Sequence, residues 1–219
     1  MKNNIKTIIF DMDGVIFDSE RALIDGWVEI SHKYGFVADY EVAKACIGVK
    51  LQRTKEIYLE HFGPDFPFDE YQQEVRDNYE ALYDTPNIPI KSGVVDFIKR
   101  LKINGYTLAI ASSTVLSAVE RQVRAAGIRE YFDVVLGGDD VKDGKPAPDI
   151  YLMAAEKLGK DPSQVIVIED SYNGIKAASA AGAKAIMVPD ILPPNEEMRE
   201  KAWKICKDFD EVREVLELK

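Results

Sequence analysis

Two aspartates stand two positions apart, directly after an apolar run near the start of the chain. Asp11 and Asp13 follow "TIIF" and precede Gly14. Like charges so close to a core lower stability unless something neutralises them. Because side chains alternate along an extended segment, both aspartates can face one site while Met12 points away. One carboxylate could then attack phosphorus, and the other could donate and later accept a proton.

Further polar residues end two later β-prone runs and occupy one loop. Ser112 follows "TLAIA", Glu169 and Asp170 follow "VIVI", and Lys145 lies in "VKDGKPAP". In open parallel sheets, ligands bind beyond the carboxyl ends of the strands. We therefore expect these residues to meet Asp11 at one edge of a sheet.

Four carboxylates near one point are tolerable only with a cation among them. Hard oxygen donors without a neighbouring histidine favour Mg²⁺. Lys145 adds a positive charge and Ser112 a hydrogen-bond donor, and the amides at the start of the following helix suit an oxyanion. Together these groups predict a clamp for a phosphoryl group.

The elements that must position these residues differ between the two parts of the chain. From about Ser19 to Tyr83, apolar residues recur at helical spacing, as in "SERALIDGWVEISHKYG". From about Gly93, short Val-, Ile- and Ala-rich segments alternate with helical ones, which is typical of a parallel sheet buried on both faces. The sequence thus predicts an α/β protein. Its Rossmann-like parallel sheet core comprises residues 1–15 plus 85–219, and residues 16–84 form an inserted all-helical cap domain.

Composition narrows the class of partner. The formal net charge of −10 over 219 residues argues against nucleic acid and anionic membranes as partners. A small phosphorylated metabolite stays compatible, because a metal and a few local cations can reverse the field in one pocket. No apolar run reaches membrane-spanning length and the start lacks a signal-peptide pattern, so we expect a cytoplasmic protein. The distant Cys46 and Cys206 predict buried thiols, and a monomer is the default state.

Four segments together resemble the motifs of the haloacid dehalogenase-like hydrolase superfamily. They are "DMDGVIFDSE", "AIASST" with Ser112, "GKPAP" with Lys145, and "IEDSYNG", in the family's order and over nearly the whole chain. The resemblance is greatest to the β-phosphoglucomutase-like branch, in which a small helical cap follows the first motif.

The resemblance implies a role for each matching residue. Asp11 would be the nucleophile and Asp13 the general acid and base. The Mg²⁺ ligands would be Asp11, the backbone carbonyl of Asp13 and Asp170, with Glu169 assisting directly or through water. The phosphoryl oxygens would be held by Ser112 and Lys145, with Ser113 and Asn173 as weaker candidates.

The choice between a phosphatase and a mutase depends on the cap. In β-phosphoglucomutases, the resemblance implies a basic residue before the cap glycine, an arginine three positions after it, and a cap histidine. Here those positions hold Ile47, Leu51 and Leu23. We therefore favour a phosphatase acting on a sugar or polyol phosphate. The alternatives are a β-phosphoglucomutase-type mutase and a phosphoacceptor or binding protein without turnover.

Four cap residues are candidates for contact with the substrate. Gly48, Lys50 and Arg53 lie in or after the loop "CIGVKLQR", and Glu20 lies in the first cap turn. The competing interpretation is that "VKLQRTK" is the solvated start of a helix and that Glu20 favours a helix N-terminus.

Overall fold

The computed structural model describes residues 5–37, 39–46, 51–83 and 88–218. Contacts divide the chain into two compact units. One comprises Met1–Asp18 and Ile90–Lys219, here called the core unit, and the other comprises Ser19–Pro89, here called the helical unit. The sequence-based boundaries lay at residues 15 and 85.

The helical unit contains four α-helices among its described residues: α1 (Ser19–Ser31), α2 (Tyr40–Ala45), α3 (Leu51–Phe62) and α4 (Phe68–Tyr83). Its interior is rich in aromatic rings because Trp27, Tyr58 and Tyr71 recur on the inward stripes of their helices. The Tyr71 hydroxyl donates to the Trp27 carbonyl at 2.7 Å, which satisfies a buried polar group. A turn after α1 ends at Gly35, whose φ of 75° is the left-handed conformation that favours glycine.

The core unit is built on a six-stranded parallel sheet in the order β3-β2-β1-β4-β5-β6. The strands are β1 (Thr7–Phe10), β2 (Thr107–Ala111), β3 (Val134–Leu136), β4 (Ile166–Glu169), β5 (Lys184–Met187) and β6 (Lys204–Ile205). Every residue of β1 and β4 is buried, as expected for a sheet covered on both faces. The predicted α/β class is confirmed.

Six helices flank this sheet in the described residues: α5 (Val94–Ile103), α6 (Leu116–Ala125), α7 (Asp149–Lys157), α8 (Tyr172–Ala180), α9 (Glu196–Lys201) and α10 (Phe209–Val215). Small alanines of α7 and α8 let these helices pack closely on the sheet, where Ala154 and Ala177 are fully buried. Elsewhere in the core, Phe10 packs edge-on against Phe97 and Phe132.

The strand order determines which strand ends lie side by side at the edge of the sheet. The central β1 pairs Phe10 with Ile110 of β2 and with Ile168 of β4. Residues just beyond these three strands therefore lie side by side at one edge. The Asp11 amide continues the ladder by donating to the Ile168 carbonyl at 2.9 Å.

Across the described ranges, no helix combines the length and apolar character needed to cross a bilayer.

Candidate active site

The carboxyl ends of β1, β2 and β4 bring four of the residues predicted from the sequence together. Asp11 follows β1, Ser112 follows β2, and Glu169 ends β4 with Asp170 directly after it. All four side chains are buried despite their polarity. Buried carboxylates must be hydrogen-bonded, paired or neutralised, so each of them needs a partner within this edge.

Lys145 reaches this edge from the loop before α7 and meets two of the carboxylates. Its ammonium lies 2.5 Å from Asp11 Oδ1 and 2.8 Å from Glu169 Oε1. It also donates to the Ala111 carbonyl at 3.1 Å and lies over the Tyr151 ring, 4.9 Å from the centroid. These contacts fix the lysine with its charge directed at the first aspartate.

Electrostatics at this pair depend on burial. Burial raises the pKa of Asp11 well above its usual value, and repulsion from Glu169 and Asp13 adds to this effect against the attraction of Lys145. Burial lowers the pKa of Lys145, but attraction to Asp11 and Glu169 outweighs it and leaves that pKa well above the usual value. A further cation beside Asp11 would therefore favour its ionised form.

Oxygen atoms of Asp11, Glu169 and Asp170 all lie within 4.8 Å of one another. The donor set is carboxylate only, which suits a hard divalent cation such as Mg²⁺. A cation here would also supply the positive charge that Asp11 lacks. The residues present thus fit the predicted metal.

Glu169 is the most heavily engaged of these carboxylates. Besides Lys145, its Oε1 accepts from the Tyr151 hydroxyl at 2.9 Å, and its Oε2 accepts from the Ser171 amide at 2.8 Å and the Ser171 hydroxyl at 2.9 Å. A Cβ on Gly174 would stand 1.6 Å from Oε1, so the α8 backbone closes over this carboxylate. Four donors already occupy Glu169, which favours the direct ligand role for Asp11 and Asp170.

Gly14 shapes the turn beside Asp170. Its φ is +73°, and a Cβ there would lie 2.2 Å from Asp170 Oδ2. The Gly14 amide donates to the Phe17 carbonyl at 2.9 Å, which folds the chain back after the two aspartates. Glycine is thus required both for the backbone conformation and for the close approach of Asp170.

Asp13 is held by hydroxyl groups from the loop after β2. Thr114 Oγ1 donates to Asp13 Oδ2 at 2.8 Å, and Ser112 Oγ lies 3.3 Å from the same oxygen. Ser113, between them, is exposed and has no described contact with Asp13. The amide of Leu116, which the sequence suggested for an oxyanion, donates instead to Asp139 at 2.6 Å.

Two residues of this edge, Thr114 and Tyr151, were not predicted from the sequence. Thr114 lies within the "AIASST" motif, two positions beyond Ser112, so the motif itself was the available signal. Tyr151 has the spacing of a core residue on α7, and nothing in that pattern distinguishes it from an aromatic that only packs.

The candidate cap residues fall into two groups. Gly48 and Lys50 lie outside the described residues. Arg53 lies on α3, where it donates to Glu56 at 3.0 Å and to Glu60 at 3.1 Å on the same helix. Glu20 lies in the first turn of α1, where a carboxylate favours the helix N-terminus. The Arg53 contacts agree with the solvated-helix interpretation, and the candidate role of Glu20 stays a prediction.

A family model described as haloacid dehalogenase-like hydrolase matches residues 5–182 of the chain. The chain is 30% identical over 182 residues to the phosphorylated carbohydrates phosphatase of Thermotoga maritima, covering 83% of this chain and 84% of that protein. It is 32% identical over 181 residues to the fructose-1-phosphate phosphatase YqaB of Escherichia coli, covering 83% and 95%.

Solved structures show the same relationship. The crystal structure of β-phosphoglucomutase from Clostridium difficile superposes with a TM-score of 0.68 at 26% identity, covering 97% of each chain. The resemblance inferred from the four motifs, including its β-phosphoglucomutase-like branch, is confirmed by these matches.

Proposed function

Because the chain belongs to the haloacid dehalogenase-like hydrolase family, we propose that it is a phosphatase that hydrolyses a small sugar or polyol phosphate. The observation that carries this proposal is the buried contact of Lys145 with Asp11 beside Asp170 at the ends of β1 and β4. A buried nucleophile beside a fixed cation suits attack on a phosphate ester. The names of the two phosphatases described above support the substrate class.

The same edge would hold Mg²⁺. Asp11, the backbone carbonyl of Asp13 and Asp170 would be its ligands, and Glu169, saturated by its own donors, would act through water or by orienting Lys145. When bound, the ion supplies positive charge that offsets the repulsion between an anionic phosphoryl group and the carboxylates.

The first chemical step transfers the phosphoryl group to the protein. A carboxylate oxygen of Asp11 forms a bond to phosphorus as the bond from phosphorus to the leaving oxygen breaks. The electron pair of that bond stays on the leaving oxygen, which takes the proton of Asp13. Lys145 and Ser112 hold the phosphoryl oxygens during the transfer.

The second step releases phosphate. Asp13, now ionised, takes a proton from water as the water oxygen attacks phosphorus. The bond between phosphorus and Asp11 breaks, and its electron pair restores the Asp11 carboxylate. One residue thus serves as acid and then as base, which returns the site to its starting state.

A β-phosphoglucomutase-type mutase is the second candidate, and the structural similarity to a β-phosphoglucomutase favours it. In that reaction a sugar hydroxyl, rather than water, would take the phosphoryl group. The aliphatic residues Leu23, Ile47 and Leu51 at the positions discussed above support the phosphatase instead. Offering β-glucose 1-phosphate with a trace of the 1,6-bisphosphate separates the two. Glucose 6-phosphate forming faster than inorganic phosphate would establish the mutase.

The experiment for the phosphatase is a phosphate-release screen over phosphorylated sugars, polyols and nucleotides, with Mg²⁺ and with a chelator. Asp11→Asn should lower turnover on the order of 10³-fold or more, because the nucleophile is lost. Asp96→Asn is the matched control, since Asp96 is exposed on α5 and pairs with Arg100 at 2.7 Å. Hydrolysis by Asp11→Asn at the rate of the control would reject the nucleophile assignment, and activity unchanged by the chelator would reject the metal.

A further inference from the structure

Thr114 makes the shorter of the two hydroxyl contacts described at Asp13. Its Oγ1 donates to Asp13 Oδ2 at 2.8 Å, against 3.3 Å for Ser112 Oγ. A hydroxyl hydrogen bond to a carboxylate is normally close to the shorter of these distances. The contact joins residues 101 positions apart in the chain, so the fold has to create it.

The backbone around Thr114 is fixed on both sides. The Thr114 amide donates to Ser112 Oγ at 3.0 Å, and its carbonyl accepts from the Gly138 amide at 2.8 Å. The loop that carries Gly138 approaches so closely that a Cβ there would lie 2.3 Å from the Ser113 carbonyl oxygen. The hydroxyl of Thr114 is thus presented to Asp13 from a preorganised loop rather than from a mobile one.

This geometry bears on the orientation of the Asp13 carboxyl. A carboxyl that acts first as acid and then as base has to face the leaving group and later the attacking water. A hydroxyl that donates to Oδ2 ties that oxygen to the loop after β2. It also restrains rotation of the carboxyl group about its bond to Cβ.

We propose that Thr114 is a positioning residue for the general acid and base, which fixes the orientation of the Asp13 carboxyl for both proton transfers. The inference rests on the proposed function and names a residue that serves it. In the first step the Asp13 carboxyl gives its proton to the departing oxygen, and in the second step the carboxylate takes a proton from water. Oδ2 keeps its hydrogen bond to Thr114 throughout.

The test compares two substrates of nearly equal shape that differ in their need for a proton. Phenolate is a far stronger base than p-nitrophenolate, so phenyl phosphate depends more on general acid catalysis than p-nitrophenyl phosphate does. Single-turnover release of the two phenols measures the first step alone. The measured quantity is the ratio of the p-nitrophenyl rate to the phenyl rate.

Thr114→Val keeps the shape of the side chain and removes the hydroxyl. We expect this substitution to widen the rate ratio by about tenfold, since misplaced groups lose much of the roughly 10²- to 10⁴-fold that general acids contribute. Thr114→Ser, which keeps the hydroxyl, should stay within about threefold of the wild-type ratio. Thr107→Val, at the other end of β2, is the control for the same chemical change away from the site.

An unchanged ratio in Thr114→Val would overturn the inference, whatever happens to the absolute rates. So would a ratio in Thr114→Ser that equals that of Thr114→Val, because it would assign the effect to packing. Circular dichroism establishes that each variant folds, and Thr114→Ala replaces Thr114→Val if the latter does not. Failure of the proposed function has a different signature, which is release of neither phenol by the wild type or equal release by Asp11→Asn.

Discussion

Gly14→Ala tests the geometry of the candidate metal site most directly. An alanine Cβ at this position would lie 2.2 Å from Asp170 Oδ2 and 2.6 Å from Asp170 Cγ. Ordinary van der Waals contacts of a Cβ begin at 3.4 Å, so either the carboxylate or the turn has to move by about 1 Å. Gly182→Ala is the matched control, because Gly182 has a φ of +82° and nothing within 4 Å of its Cβ position.

Two contributions determine the stability of the variants, and only the second differs between them. An L-residue in the left-handed region costs about 1–2 kcal/mol, and both variants incur this cost. Overpacking against Asp170 adds about 1–3 kcal/mol to Gly14→Ala alone. A protein of this size loses about 2–4 °C of Tm per kcal/mol, so Gly14→Ala should melt several degrees below Gly182→Ala.

The binding of Mg²⁺ should separate them further. Disturbing the support of a metal ligand typically weakens affinity by about 10- to 100-fold, and we expect that loss for Gly14→Ala only. Urea unfolding in the presence of a chelator measures the difference in stability, and calorimetric titration with Mg²⁺ measures the difference in affinity for the ion. Equal stability and equal Mg²⁺ affinity in the two variants would refute the placement of Asp170 against the turn.

Three further predictions concern other parts of the molecule. Burial raises the pKa of the Cys46 thiol to about 11. At pH 8 this thiol should therefore react with a disulfide reagent roughly 100-fold more slowly in the folded protein than in the unfolded protein. Equal rates in the two states would contradict this prediction. The Asp190 side chain is 3% exposed, and its carboxylate lies 2.5 Å from the Lys91 ammonium. Lys91→Met removes this cation, so urea unfolding should show that the free energy of unfolding falls by about 3–5 kcal/mol. Burial opposes ionisation of Asp133, but hydrogen bonds from the Leu108 amide and a lysine outweigh it and lower the Asp133 pKa. Its stabilisation is therefore present above the unfolded pKa and lost as the pH falls through the folded pKa, so the stability difference between wild type and Asp133→Asn should vanish in acid.

The principal features of the sheet could be predicted from the sequence because burial on both faces leaves a strong pattern. The runs of β1, β2 and β4 are mostly apolar and lead directly to a polar residue at their carboxyl ends. Parallel topology then places those ends together. The two-residue β6 carries no such signal, since Lys204–Ile205 is too short to show any alternation. The helix α2 has six residues, which is too short to show a repeated apolar stripe in the sequence.

Within the candidate site, the charged residues and Ser112 were predicted from the sequence, and two neutral residues were missed. A carboxylate directly after an apolar run is costly to bury, so Asp11 attracts attention at once, whereas Lys145 was predicted from its loop. Thr114 and Tyr151 cost little in any environment, and only the distances to Asp13 and Glu169 reveal what they contact. Arg53 is the opposite case, because its spacing to acidic residues on α3 already allowed the ion pairs that the structure contains.

The charge balance of the site explains why two aspartates stand so close to a core. Within the described residues of this edge, Lys145 is the cation in contact with Asp11 and Glu169, and Asp170 adds a further buried carboxylate. Either a proton on Asp11 or a divalent ion can offset the remaining negative charge, and the raised pKa of Asp11 reflects the first of these. Under the proposed function Asp11 attacks phosphorus as a carboxylate, so the proposal depends on the second. An ion that binds only the folded state also stabilises it, so under the proposed function a chelator should lower both the activity and the stability of the core unit.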